Sequence, residues 1–173
     1  MTTLRLIADL HFNHSNITSM SDLRQGSNYQ EHDNWVIKQI NSVTTKYDQT
    51  YILGDVSFSK EGLELLKRIN GNKKLWLGNH DTFSNASYLK YFQKLYGISK
   101  EHGYWLSHAP IHLNSLRNRW NIHGHTHASL RISEPGYFCV SVEALNGVPM
   151  TFDQIDAEVI NFNKLTGTNS YYA

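Results

Sequence analysis

An α/β fold is predicted for this 173-residue chain on three observations. Short apolar runs of strand length alternate with segments whose apolar residues recur at helical spacing. Glycine, asparagine and other turn residues punctuate the alternation. Polar, metal-competent side chains follow one predicted strand after another, at the edge where open α/β sheets bind ligands.

The elements follow in order. Thr3 to Ala8 (TLRLIA) reads as a first strand ending at Asp9, and residues 11–28 read as a polar loop. From Gln30 to Val43, Val36, Ile40 and Val43 fall on one helical face, widened by Trp35 and Ile37. Gln49 to Leu53 is a β-prone run that stops at Gly54-Asp55. Leu63, Leu66 and Ile69 mark a helix over 61–69, and Asn70-Gly71-Asn72 ends it. Lys74 to Leu77 is a strand closed by Gly78. Ser84 or Asn85 then caps a helix carrying Leu89, Phe92 and Leu95. Tyr104 to Ser107, Trp120 to His123 and Tyr137 to Val142 read as later strands. Thr151 and Gln154 have capping-box spacing and open a last helix, whose polar tail after Asn163 is expected to fray.

Hydrophobic residues make up 40% and charged residues 18%, the balance of a globular chain, and the length suits one domain over 1–173. A net charge of +1 gives no global reason to bind nucleic acid or a membrane surface. The single cysteine, Cys139, permits no internal disulfide and argues against a thiolate zinc site. The first nine residues lack the pattern of a secretory signal, and no apolar run approaches the ~20 residues that span a bilayer. A soluble cytoplasmic protein is expected.

Ten histidines stand out. Several belong to five short segments, each after a predicted strand: Asp9-Leu10-His11, Gly54-Asp55, Gly78-Asn79-His80-Asp81, Ser107-His108 and Gly124-His125-Thr126-His127. On extended backbone, residues two apart point to one face, so Asp9 and His11 would reach one cation, and His125 and His127 repeat the logic. The glycines permit sharp turns that present a ligand at a strand tip. The donors are oxygen and nitrogen, which suit manganese, zinc, iron or nickel. Asp9, His11, Asp55, Asn79, His108, His125 and His127 exceed the three or four ligands of one zinc. Two divalent cations sharing a carboxylate are therefore expected, manganese first among the candidates.

These five segments, in this order, resemble the signature of the calcineurin-like metallophosphoesterase superfamily: D-x-H, G-D, G-N-H-D/E, a single histidine and G-H-x-H. The text HFNHSNI after Asp9 and SHAP around His108 resembles its small bacterial and phage members. The resemblance implies two packed mixed β-sheets flanked by helices. It implies that Asp9, His11 and His127 hold a first metal, that Asp55 bridges, and that Asn79, His108 and His125 hold a second. It further implies that His80 is the general acid and that Asp81 orients it. Val56-Ser57-Phe58 departs from the protein phosphatases of the superfamily, which carry acidic and arginine residues there. The stretch between Leu95 and His108 looks too short for an extra hairpin, so a trimmed second sheet is expected.

The expected activity is hydrolysis of a small phosphate ester, leaning to phosphodiesters. A water held between the cations attacks phosphorus, and His80 donates a proton to the leaving oxygen. The alternatives are a phosphomonoesterase acting on nucleotides or sugar phosphates, and a non-catalytic scaffold on the same fold. The complete ligand set weighs against the scaffold. Asn13, His14, Asn16, Arg117 and Arg119 are further candidates to line the site and meet substrate, the arginines by forking a phosphate oxygen pair.

Overall fold

Strand β1 (Leu4–Ile7) pairs in parallel with β2 (Gln49–Ile52), and β2 with β3 (Asn72–Trp76). Toward their carboxyl ends successive side chains (Leu6 and Ile7, Tyr51 and Ile52, Leu75 and Trp76) are buried on both faces, which is why they read as short apolar runs without strict alternation. In the computed structural model, which describes residues 2–167, β4 (Leu95–Tyr96) extends this sheet beyond β3, and β9 (Met150–Thr151) closes its other side antiparallel to β1. A second sheet has the order β5 (Ile98–Glu101), β6 (Tyr104–Ser107), β7 (Asn121–His123), β8 (Tyr137–Cys139). Its last three strands are parallel and β5 is antiparallel. The protein is thus an α/β fold with two mixed sheets flanked by helices.

The helices are α1 (Ile17–Met20), α2 (Tyr29–Val43), α3 (Lys60–Glu64), α4 (Asn85–Tyr88), α5 (Leu113–Leu116), α6 (Val142–Leu145) and α7 (Phe152–Thr166). Val36 and Ile40 of α2 and Ile155 and Val159 of α7 join Leu6, Ile52, Leu75, Leu106, Ile122 and Phe138 in one core. Side-chain caps fix the starts: Asn28 for α2, Ser59 for α3, Ser84 for α4, Ser141 for α6, and the full Thr151–Gln154 capping box for α7. No helix among the described residues is long and apolar enough to cross a membrane.

The structure corrects several local expectations. The helix expected to carry Leu89, Phe92 and Leu95 ends after a single turn at Tyr88. Leu95 instead pairs with Leu75 at the sheet edge, where Tyr96 stacks on Trp76 at 4.5 Å, and Leu89 is exposed. The second sheet does carry the extra hairpin. His102 (φ 50°) and Gly103 (φ 86°) both take the left-handed region, and such a two-residue turn lets β5 and β6 fit in ten residues. The strand expected to Val142 stops at Cys139, because Ser141 turns the chain into α6. Helix 61–69 is half α and half 3-10, and the loop 11–28 contains α1. The last helix runs on to Thr166, and the rest of the polar tail, 168–173, lies outside the described residues.

The topology places the site. The two sheets meet where Ala8, just past β1, donates its N–H to Val140 O at 2.8 Å and accepts from Val142 N at 3.1 Å. Asp9, Asp55, Asn79, His108 and His125 follow the carboxyl ends of β1, β2, β3, β6 and β7, so they face one junction.

Candidate metal centre

Two clusters of ligand atoms form at that junction. Asp9, His11 and His127 place theirs within 4.8 Å of one another, and Asp55, His108 and His125 do the same. His11 Nε2 lies 3.2 Å from His127 Nε2. His108 Nε2 lies 3.2 Å from His125 Nδ1, and Asn79 Oδ1 is 3.0 Å from each of these two nitrogens. Asp55 joins the clusters: its Oδ2 is 3.8 Å from His11 Nε2 and 3.3 Å from His108 Nε2. Its other oxygen, Oδ1, accepts the His80 N–H at 2.9 Å. All seven candidate ligands are brought together, with one Asp55 oxygen facing both groups.

The backbone does this differently from the extended geometry expected. Asp9 (φ 61°), His11 (51°), Asp55 (54°), His125 (68°) and His127 (49°) all take the left-handed region, which non-glycine residues avoid. The chain curls at each strand end and aims successive side chains inward. Strain of this kind, about 1–3 kcal/mol per residue, gathers where function requires it. Glycine supplies the close approach. A Cβ on Gly78 would lie 2.2 Å from Asp55 Oδ1, and one on Gly124 2.5 Å from Asp9 Oδ2.

The donor chemistry fits cations. His108 Nδ1–H donates to Leu53 O at 2.8 Å, so a neutral His108 turns its Nε2 lone pair toward Asn79 Oδ1 and Asp55 Oδ2. Acceptor would face acceptor across about 3 Å unless a cation or a proton lay between them. His127 repeats this: Nδ1 meets Glu143 Oε1 at 3.0 Å, leaving Nε2 to face His11. Such outer partners fix which ring nitrogen meets a metal.

The charges agree. Burial raises the Asp9 carboxyl to about 7. Burial, helped by the Arg24 charge, lowers His11 to about 2, which keeps that ring neutral and able to ligate. The Glu143 hydrogen bond raises His127. Burial pulls His108 down, but the Asp55 hydrogen bond and the Asp9 charge leave it raised.

The remaining candidates divide. The His80 ring is exposed at the mouth, 4.9 Å from the Phe58 ring and 5.9 Å from the His11 ring. His14 stands beside it, 4.4 Å from Phe58. Asn16 is exposed at the start of α1, and Asn13 is turned toward Ser59 Oγ at 2.6 Å. Arg117 and Arg119 do not reach the clusters. They line a separate cavity with Leu113, Leu116 and Pro135, before the amino end of β7, whereas the ligands lie past its carboxyl end. α5 and the left-handed turn at Arg117 and Asn118 carry the arginines there.

Asp81 also departs from its expected role. Its carboxylate accepts N–H groups of Asp55 (2.8 Å), Val56 (3.0 Å) and Gly78 (2.8 Å), not the His80 ring. It ties the second and third ligand turns together. Asp81→Ala would leave those donors without their acceptor, at about 1–3 kcal/mol each where buried. A loss of at least about 3 kcal/mol in urea unfolding is the expected result; unchanged stability would refute this role.

Sequence reasoning missed the groups behind the ligands. Arg24, Glu143, His32 and Asp33 are all buried around the first cluster. Arg24 sits in a loop with no periodicity, Glu143 in the first turn of a four-residue helix, and no motif marks either. Phe58 is 40% exposed and packs on the His11, His14 and His80 rings, and no spacing in the sequence marks it.

No family model matches the sequence. Its fold is similar to that of a protein of unknown function, AQ665 from Aquifex aeolicus, with a TM-score of 0.71 and 24% identity, covering 91% of this chain and 100% of that one. It is 29% identical over 170 residues to the Gene 66 protein of Mycobacterium phage L5, covering 77% of this chain and 81% of that protein. It is 34% identical over 168 residues to the uncharacterized protein MJ1445 of Methanocaldococcus jannaschii, with 90% of each chain covered. At that identity and coverage, the chain belongs to the family of MJ1445.

Proposed function

We propose that this protein is a metal-dependent phosphoesterase of the calcineurin-like type that uses two divalent cations, with a lean toward small phosphodiesters. The observation that carries the reading is the single Asp55 oxygen facing both ligand clusters. Asp9, His11 and His127 would hold one cation, Asn79, His108 and His125 the other, and Asp55 both. When bound, such a pair supplies Lewis-acid stabilisation of phosphate charge and an activated water.

The chain's own residues supply the rest. His80 stands exposed beside the clusters, free to give a proton to a leaving oxygen. Its main chain is tied to Asp55, so its position is set by the same carboxylate that joins the clusters. Phe58 covers one face of the His11 ring at 5.4 Å and leaves the mouth apolar on that side. The substrate is expected to be set by short loops around this mouth.

The test is hydrolysis of bis-p-nitrophenyl phosphate by chelator-stripped protein with and without manganese, against the monoester. Manganese-dependent cleavage, faster on the diester, is expected; no cleavage of either with two cations bound would sink the reading. The pH dependence has a definite sign. Asp9 ionises only near 7, and His108 and His127 hold protons more strongly than an ordinary histidine. Cations must displace those protons, so affinity and turnover should rise as pH climbs through about 7 and fall below it. Equal activity at pH 5 and pH 8, with metal retained, would contradict the ligand set.

A further inference from the structure

Behind the first ligand cluster lies a buried ion pair that no part of the proposed chemistry uses. Arg24 and Glu143 are 4% and 5% exposed. Arg24 Nε donates to Glu143 Oε1 at 2.7 Å and Nη2 to Oε2 at 3.1 Å. The same Nη2 donates to the Asp9 carbonyl at 2.8 Å, and Nη1 meets His32 Nε2 at 3.0 Å. Glu143 Oε1 also receives His127 Nδ1 at 3.0 Å. Burying such a pair is a poor route to stability alone, because desolvation offsets most of the attraction. Its geometric output is specific: it grips the strained Asp9 backbone and the back of His127, two members of one cluster.

The other cluster is framed differently: Asp81 accepts the backbone N–H of Asp55 at 2.8 Å, and among the described residues no buried Arg–Glu pair stands behind its histidine rings. His108 is held by a neutral carbonyl, Leu53 O. His125 is exposed, and its ring Nδ1 meets Asn79 and His108 inside the cluster. We propose that the Arg24–Glu143 pair is a positioning device that makes the two cation positions unequal, so that Asp9, His11 and His127 take the first cation and Asp55, His108 and His125 the second. The inference rests on the two-cation reading of the site. A pre-set ligand group loses less freedom on binding, and removing a carboxylate behind a ligand histidine weakens metal affinity by roughly 10- to 100-fold.

Manganese binding by calorimetry on stripped protein tests it without any turnover. In a His125→Ala background, which leaves the first position, adding Glu143→Ala should weaken binding roughly 10- to 100-fold. In a His127→Ala background, which leaves the second, the same change should stay within about twofold, the scatter of independent sites. The His125→Ala protein should also bind its remaining cation more tightly than the His127→Ala protein. Glu143→Gln keeps an acceptor for His127 Nδ1 and should recover most of the affinity. Should Glu143→Ala not fold, Glu143→Asp, which retracts the carboxylate, is read in the same two backgrounds. Equal weakening in both backgrounds, or none in the first, overturns the proposal. Fewer than two manganese ions on the wild-type protein would instead overturn the two-cation reading beneath it.

Discussion

Asn in place of Asp55 is expected to cost the protein one of its two cations and at least about 10³-fold in turnover, since paired cations contribute several kcal/mol to the barrier and each 1.36 kcal/mol is tenfold. Asp55 is 1% exposed, and its Oδ2 approaches Nε2 of His11 in one cluster and Nε2 of His108 in the other. Asparagine keeps the shape and an acceptor for the His80 N–H. It removes the charge that lets two cations sit close without mutual repulsion, and its amide nitrogen cannot bridge. Metal content after gel filtration and kcat on bis-p-nitrophenyl phosphate read the two effects separately. An Asp55→Asn protein with both cations and turnover within tenfold of wild type would show that this carboxylate does not join the sites.

His80→Ala should leave both cations in place and still lose about 10²–10⁴-fold in turnover, the range for a missing general acid. The geometry separates the two properties. His80 contributes no atom to either cluster; its ring meets that of His11 edge-on at 5.9 Å, and its hydrogen bond to Asp55 Oδ1 comes from the backbone N–H, which alanine retains. The loss should grow as the leaving group becomes more basic: small for p-nitrophenol, large for an alkyl alcohol. The same loss for both leaving groups would remove His80 from proton transfer, and a loss of metal would make it structural.

The fold class and the convergence of the candidate ligands on two clusters were legible for one physical reason. Strand tips that must turn sharply and present donors leave local marks, a glycine beside Asp55, Asn79 or His125 and paired donors at Asp9 and His11. The sheet order places such tips at one edge. What those marks do not encode is how the chain turns. The left-handed backbone at Asp9, His11, His125 and His127 replaces the extended one expected, because the residues must curl into a pocket shared by two sheets. Arg24 and Glu143 were illegible because 119 positions separate them, and only the packed structure makes them partners. Asp81 illustrates a subtler loss. The family resemblance implied a contact with His80, but three backbone amides of neighbouring turns claim its carboxylate. Arg117 and Arg119 precede a ligand strand in sequence, yet they lie at its other end in space.

Anomalous diffraction at the manganese edge, on crystals of wild-type protein soaked in manganese, tests the central claim most directly. The account predicts two peaks about 3.5–4 Å apart with Asp55 Oδ2 between them, one contacted by His11 and His127 and the other by His108 and His125. One peak, or two on opposite sides of the molecule, would contradict it.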